Sequence, residues 1–149
     1  MTRHNERELA FQVLYSVAFT PVKDNKELHN VFLRSPKLSQ NQESQGFSWQ
    51  LVEGVWSNTE ELDKIISQFA HNWKISRIGR IELVILRIAT YEMLYLREIP
   101  YKVTINEALE LCNKFGDQAS KSFLNGILDS TSKALEKGQI TPKIADENL

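Results

Sequence analysis

The chain has 149 residues, about one domain, with 18 Lys+Arg against 19 Asp+Glu for a formal charge of −1; 42% of it is hydrophobic and 25% charged. A chain of this size buries roughly two-thirds of its unfolded surface, so the composition excludes a wholly disordered protein and a histone-like polycation. One cysteine, Cys112, excludes an intramolecular disulfide and a cysteine-built zinc cluster. The three histidines (His4, His29, His71) lack ligand spacing, and no metal or cofactor is expected. No apolar run approaches a membrane span, and the first six residues hold no signal-peptide core, so the cytoplasm is the expected compartment.

Glycine and proline are scarce, and the apolar residues repeat with helical period. Ala10, Val13, Leu14 and Val17 mark a first helix over about Glu6–Phe19, ending before Pro21. A short helix follows at Asn25–Leu33, then a polar loop at Ser35–Gln45. Phe47, Leu51 and Val55 mark a third helix at Gly46–Ser57. Asn58–Glu61 reads as a capping box for a fourth, with Leu62, Ile65, Ile66, Phe69 and Trp73 on one face. Arg80–Arg97 is apolar nearly all round, as in a buried central helix, and Pro100 is expected to close it. Thr104–Glu107 reads as a second capping box, with Val103 and Ala108 as a staple. In that helix Ile105, Ala108, Leu109, Cys112 and Phe115 face one way, and a left-handed cap is expected at Gly116. A last helix over about Ala119–Glu136 buries Phe123, Leu124, Ile127, Leu128 and Leu135 and ends at Gly138. Gly126 inside it costs about 1 kcal/mol relative to alanine, which a closely approaching helix would offset. The fold class is therefore all-α: about seven helices in two small bundles around a shared core, divided near Ser35–Gln45 or Trp73–Arg80. One domain spans 1–138, and a tail over 139–149 is expected to fray.

Charge is unevenly spread. From Gln40 to Ala70 five acids (Glu43, Glu53, Glu60, Glu61, Asp63) face one base, Lys64. From His71 to Lys102 six bases (Lys74, Arg77, Arg80, Arg87, Arg97, Lys102) face three acids (Glu82, Glu92, Glu98). A basic face beside an acidic one suits an anionic partner, and an ordinary solvated surface gives the same count. Lys114, Lys121, Phe115 and Phe123 gather at the junction of the sixth and seventh helices, where charge for phosphates and flat faces for bases suit single-stranded nucleic acid; both aromatics also fit their helices' apolar stripes. Ser120 is placed to cap the last helix, whose N–H groups could receive a phosphate. No nucleophile–base set and no Gly-rich phosphate loop stands at a suggestive spacing, and nothing positive supports an enzyme.

Several stretches together resemble the NusB transcription antitermination factors of bacteria: Arg7–Tyr15, Leu51–Trp56, Ile81–Met93, Ile99–Ala108 with Lys114–Gly116, and Ser122–Asp129, in the family's order and over nearly the whole chain to Glu136. The resemblance implies an all-helical, non-catalytic adaptor. It would pair with NusE, the small-subunit ribosomal protein that doubles as a transcription factor, and bind the boxA element of nascent ribosomal RNA leaders. The complex would then join NusA, NusG and RNA polymerase. It also implies roles for residues. Arg3 and Arg7 fill two positions of an RNA-contacting N-terminal arm, and His4 stands where arginine is common. Asn5 also departs from the pattern, and Glu6 and Glu8 dilute the arm's charge. Arg87 matches a position near the RNA, its alternative being a structural ion pair with Glu53. Lys121 and Phe123, beside Ser120, match the RNA-side junction, and Tyr15 and Glu82 match the NusE side. Two other readings stand beside this one. The first is a protein-only interaction module, monomeric or a homodimer that hides its RNA surface. The second is a fragment like the helical domain fused to ribosomal RNA cytosine methyltransferases, which 149 residues without a nucleotide-binding sheet are expected to exclude.

Overall fold

Thr2 opens the first helix: its Oγ1 accepts the Asn5 N–H at 3.1 Å, and the helix begins at Arg3, earlier than its apolar stripe suggests. The computed structural model describes residues 1–35, 46–71 and 74–143. Among them lie α1 (Arg3–Phe19), α2 (Asn25–Leu33), α3 (Gly46–Ser57), α4 (Thr59–Phe69), α5 (Arg80–Tyr95), α6 (Tyr101–Phe115) and α7 (Lys121–Glu136), with single 3-10 turns at Ile75–Arg77 and Gln118–Ser120. No strand interrupts the described residues, so the fold is all-helical as expected. No described helix is long and apolar enough to cross a membrane. The predicted loop beyond Ser35, the position of Trp73 and the tail from residue 144 fall outside the described residues.

The chain divides into two compact units, residues 1–58 and 59–149. The break lies between Asn58 and Thr59 rather than at either stretch the composition suggests. Asn58 marks it: its Nδ2 donates to the Gly54 carbonyl at 2.8 Å and satisfies one of the carbonyls at the end of α3.

In the first unit α1 packs on α3, and α2 touches both. Leu9, Val13, Leu28, Phe32, Leu51 and Val55 are buried. Asp24 caps α2 by accepting the Glu27 N–H at 2.9 Å. The N-terminus of α3 is served from another helix. Glu6 of α1, itself buried, accepts the Ser48 N–H at 3.0 Å through Oε1, and the Ser48 hydroxyl donates to the Glu6 carbonyl at 3.1 Å.

In the second unit α5 packs against α4, α6 and α7. It buries Val84, Ile85, Leu86, Ile88, Met93 and Leu94, as expected of a central helix. Three local expectations are corrected. Pro100 does not close α5, which ends at Tyr95; it is the N-cap of α6. The Thr104–Glu107 box therefore lies inside α6, and buried Thr104 donates through Oγ1 to Glu92 Oε1 at 3.0 Å, while Val103 is exposed. Gly116 is extended (φ −110°, ψ −151°) rather than left-handed; a Cβ there would lie 3.2 Å from the Cys112 carbonyl oxygen and 3.3 Å from its Sγ. Close approach, not backbone handedness, calls for glycine there.

Gly138 does adopt the left-handed conformation (φ +74°). Its N–H bonds Leu135 O and that of Gln139 bonds Ala134 O, closing a Schellman motif. Residues 139–143, expected to fray, instead return to the unit. The Lys143 N–H donates to the Leu94 carbonyl at 2.7 Å, and its Nζ pairs with Glu61 at 2.6 Å. Glu61 also accepts from the Tyr95 hydroxyl at 2.9 Å. These donors hold the Glu61 carboxyl below its usual range, while burial, aided by Glu61, pushes Tyr95 up to about 12.

Gly126 is exposed, and among the described residues a Cβ on it would meet no atom within 4 Å, so no described helix presses on it. Gly126→Ala is therefore expected to stabilise the protein by about 1 kcal/mol. Urea unfolding followed by circular dichroism checks this; an unchanged or lower midpoint would contradict it.

Candidate nucleic-acid interface

The N-terminal arm is helical, so Arg3 and Arg7 stand one turn apart on the same face of α1. Both guanidinium groups lie over Phe47 of α3, at 3.9 Å and 5.2 Å from its ring centre. Arg3 is exposed, whereas Arg7 is only 4% exposed and belongs to the packed part of the helix. His4 Nε2 lies 3.0 Å from Glu8 Oε2. The two acids expected to dilute the arm's charge are both buried, Glu6 against Ser48 and Glu8 beside His4. Farther along α1, Tyr15 stacks on Phe11 (5.7 Å) and meets the edge of Phe19 (4.9 Å). Phe19 leaves 54% of its surface exposed.

In the second unit Arg87 is held by Asp63. Its Nε and Nη2 donate to the two Asp63 oxygens at 2.8 Å each, both side chains being partly buried. The alternative reading of Arg87 as an ion-pair partner thus has its geometry, with Asp63 in place of Glu53. Glu53 instead accepts from Asn25 Nδ2 at 3.2 Å.

Ser120 precedes α7 as its N-cap residue, yet its side chain makes no capping bond. Its hydroxyl donates to Glu82 Oε2 at 3.1 Å. The turn before it is capped by Asp117, which accepts the Ala119 N–H at 3.1 Å. Lys121 and Phe123 follow on the first turn of α7, both half-buried. Beside them lies a cavity of about 290 Å³ lined by Arg77, Ile78, Gly79, Glu82, Ser120 and Phe123. Its wall combines the Phe123 ring, the Ile78 side chain and the Arg77 guanidinium with the Glu82 carboxylate, which already accepts from the Ser120 hydroxyl.

The structure therefore brings Ser120, Phe123 and Glu82 to one cavity. Tyr15, predicted to share a face with Glu82, belongs to the other unit, as do Arg3, His4 and Arg7. Arg77 lines the cavity but was no candidate by sequence; its place in the basic stretch was the only signal. Burial, with the negative charge of Glu82 adding to it, raises the Cys112 thiol above its ordinary range.

Comparison with known proteins identifies this architecture. The NusB family model matches residues 4–133. The transcription antitermination protein NusB of Desulfovibrio desulfuricans is 51% identical over 154 residues, covering 99% of this chain and 94% of that protein. The solved structure of T. maritima NusB aligns with a TM-score of 0.81 at 28% identity, covering 94% of this chain and 99% of that one. A chain in the crystal structure of the antitermination factors NusB and NusE with double-stranded RNA aligns with a TM-score of 0.73 over 90% of this chain and 99% of that one. At 24% identity that likeness speaks for the fold alone. With the family model matched along α1 to α7 and half of the residues shared with a curated relative, the chain belongs to the NusB family of transcription antitermination proteins.

Proposed function

We propose that this chain is a non-catalytic RNA-binding adaptor of the cytoplasm. It pairs with NusE, binds boxA in nascent ribosomal RNA leaders, and joins NusA, NusG and the elongating RNA polymerase. The observation that carries the RNA reading is the cavity at the start of α7, where Arg77, Ser120 and Phe123 meet beside Lys121. Charge for phosphates and an aromatic face for bases are what unpaired RNA requires. Family membership supports the antitermination role, and a protein of the same fold has been solved with NusE and RNA. On the N-terminal arm Arg3 supplies the exposed charge, with His4 and Arg7 behind it. Arg87, near the RNA by resemblance, has its charge offset by Asp63 in their two-bond pair. Tyr15, continuous with exposed Phe19, serves the NusE side.

Fluorescence anisotropy with boxA and scrambled RNA, with and without NusE, over a range of salt, tests this reading. Affinity for boxA is expected to exceed that for the scrambled strand when NusE is present. It is expected to fall with salt at a log–log slope of roughly −0.7 per phosphate contact. Arg3→Ala is expected to flatten that slope by about one contact and leave the fold intact. Arg7→Ala is not a clean probe of the arm, because its buried guanidinium also supports α1 against Phe47. Equal affinity for both RNAs in the presence of NusE refutes the specific claim.

A further inference from the structure

One side of α2 is open along its whole length. Lys26, His29, Asn30, Leu33 and Arg34 follow the i, i+3, i+4, i+7, i+8 spacing of a single helix face, and all five are exposed. Leu28 and Phe32, on the other side, are buried. His29, in the middle of the open face, is held from behind. Its ring lies nearly parallel to that of Phe32, at 20° with centres 6.2 Å apart, and meets the edge of Trp49 of α3 at 4.7 Å. Phe32 and Trp49 also touch, at 5.3 Å. Phe32 is 1% exposed and Trp49 half-buried, so these supports belong to the packed unit. One face of the imidazole is thus backed by a ring, and the other is turned to solvent. A flat face of fixed orientation suits stacking on an unpaired base, because little side-chain freedom remains to be lost.

The charge around this ring is mostly of one sign. Among the described residues of the first unit, the exposed charged side chains are Arg3, Lys23, Lys26 and Arg34, with Asp24 the one exposed acid. Asp24 accepts the Glu27 N–H, half-buried Glu27 accepts the Lys23 N–H at 2.9 Å, and half-buried Glu53 accepts from Asn25. Lys26 precedes His29 on the open face and Arg34 follows it, so cations flank the ring on both sides. The face also continues from the arm. Phe47, under Arg3, and Trp49, against His29, stand two residues apart in the first turn of α3. They leave that helix on opposite flanks, with exposed Gln50 between them. A strand passing Arg3 has about one helix width, roughly 10 Å, to cross before it meets His29.

Resting on the RNA-binding reading above, we propose that the open face of α2 is a second RNA subsite, where one unpaired base flanking boxA stacks on His29 while Lys26 and Arg34 pair with its phosphates. Stacking uses the flat face that every base has, so the flank's length matters and its sequence does not. Leu33, 49% exposed beside the ring, gives the same nucleotide an apolar edge.

The test compares the full chain's affinity, with NusE present, for a fluorescent boxA RNA and for the same RNA extended at either end by about eight uridines. Extension at one end is expected to tighten binding about fivefold, the lower end of one base–aromatic stack. His29→Leu, which keeps apolar bulk without a ring, is expected to lose that gain. His29→Tyr, which keeps a flat ring, is expected to stay within about twofold of the unaltered chain. The Lys26→Ala, Arg34→Ala double variant is expected to flatten the log–log salt slope of the extended RNA by about 1.4, two contacts at roughly 0.7 each, and to leave that of bare boxA unchanged. Thermal midpoints within about 2 °C separate these effects from general destabilisation. The proposal is overturned if neither extension tightens binding, or if the gain survives in His29→Leu. It is overturned too if the variants weaken NusE binding measured without RNA and leave the gain intact, which would make the face a protein-docking surface. The same extensions on a scrambled core separate the two readings: a gain with length but no preference for boxA refutes the boxA claim and supports this subsite.

Discussion

Glu6→Ala is expected to destabilise the protein by about 3 kcal/mol, at the upper end for a hydrogen bond to a charged group. The Glu6 carboxylate is buried and accepts both the backbone N–H and the hydroxyl of Ser48, at 3.0 Å and 3.3 Å. Ser48 lies in the first turn of α3, whose N–H groups have no partner within their own helix. Alanine at position 6 leaves that N–H buried and unsatisfied and removes a negative charge from a helix N-terminus, where it is favourable. Glu6→Gln keeps an acceptor and is expected to lose less than half as much. Denaturant unfolding gives the free energies, and amide exchange at Ser48 locates the effect. A thermal midpoint lowered by about 6–12 °C corresponds to the alanine loss in a chain of this size. A change below about 0.5 kcal/mol would show that α3 is capped by other means.

Thr104→Val is expected to cost about 2 kcal/mol, although it preserves shape and adds apolar surface. The Thr104 hydroxyl donates to a Glu92 carboxylate that is 1% exposed, joining α6 to α5 inside the second unit. Valine removes the donor and leaves a buried carboxylate short of a hydrogen bond, and such a group costs more than the bond itself contributes. Thr104→Ser keeps the hydroxyl and is expected to fall nearer the unaltered protein. Equal stability of the valine and serine variants would mean that this bond contributes nothing.

Both effects depend on pairs that lie far apart in the chain, which separates what was legible beforehand from what was not. The limits of α2 and α3 follow from local chemistry. Asp24 caps one helix, and Gly46 with Phe47, Leu51 and Val55 marks the other. The Schellman end of α7 follows from a single glycine. Arg3 with Arg7, and His4 with Glu8, stand one helical turn apart only because α1 begins at Arg3, earlier than the expected start at Glu6. Thr104 misled for a physical reason. A threonine three residues before a glutamate has the chemistry of a cap, but here the hydroxyl is taken by Glu92 and Pro100 begins the helix.

The candidate interface divides in the same way. Lys121 and Phe123 beside Ser120 could be picked out by residue type, spacing and resemblance. Arg77 could not, because nothing local distinguishes it from the other bases of its stretch; nor could the partner of Arg87, which lies 24 residues away.

Apolar period and turn residues, properties of neighbouring residues, were enough to determine an all-helical fold, much of its core and, through its family resemblance, its class, although Phe123, expected in the core, is only half-buried. Only the tertiary structure decided where the polar groups go. A buried carboxylate must find donors wherever the packed helices offer them. Glu6 finds Ser48 across 42 residues, and half-buried Glu82 finds Ser120 across 38. No periodicity encodes such distances. They arise when packed helices bring distant polar groups together: Glu6, expected to dilute the arm's charge, supports the start of α3, and Glu82, expected on the NusE side, accepts from Ser120.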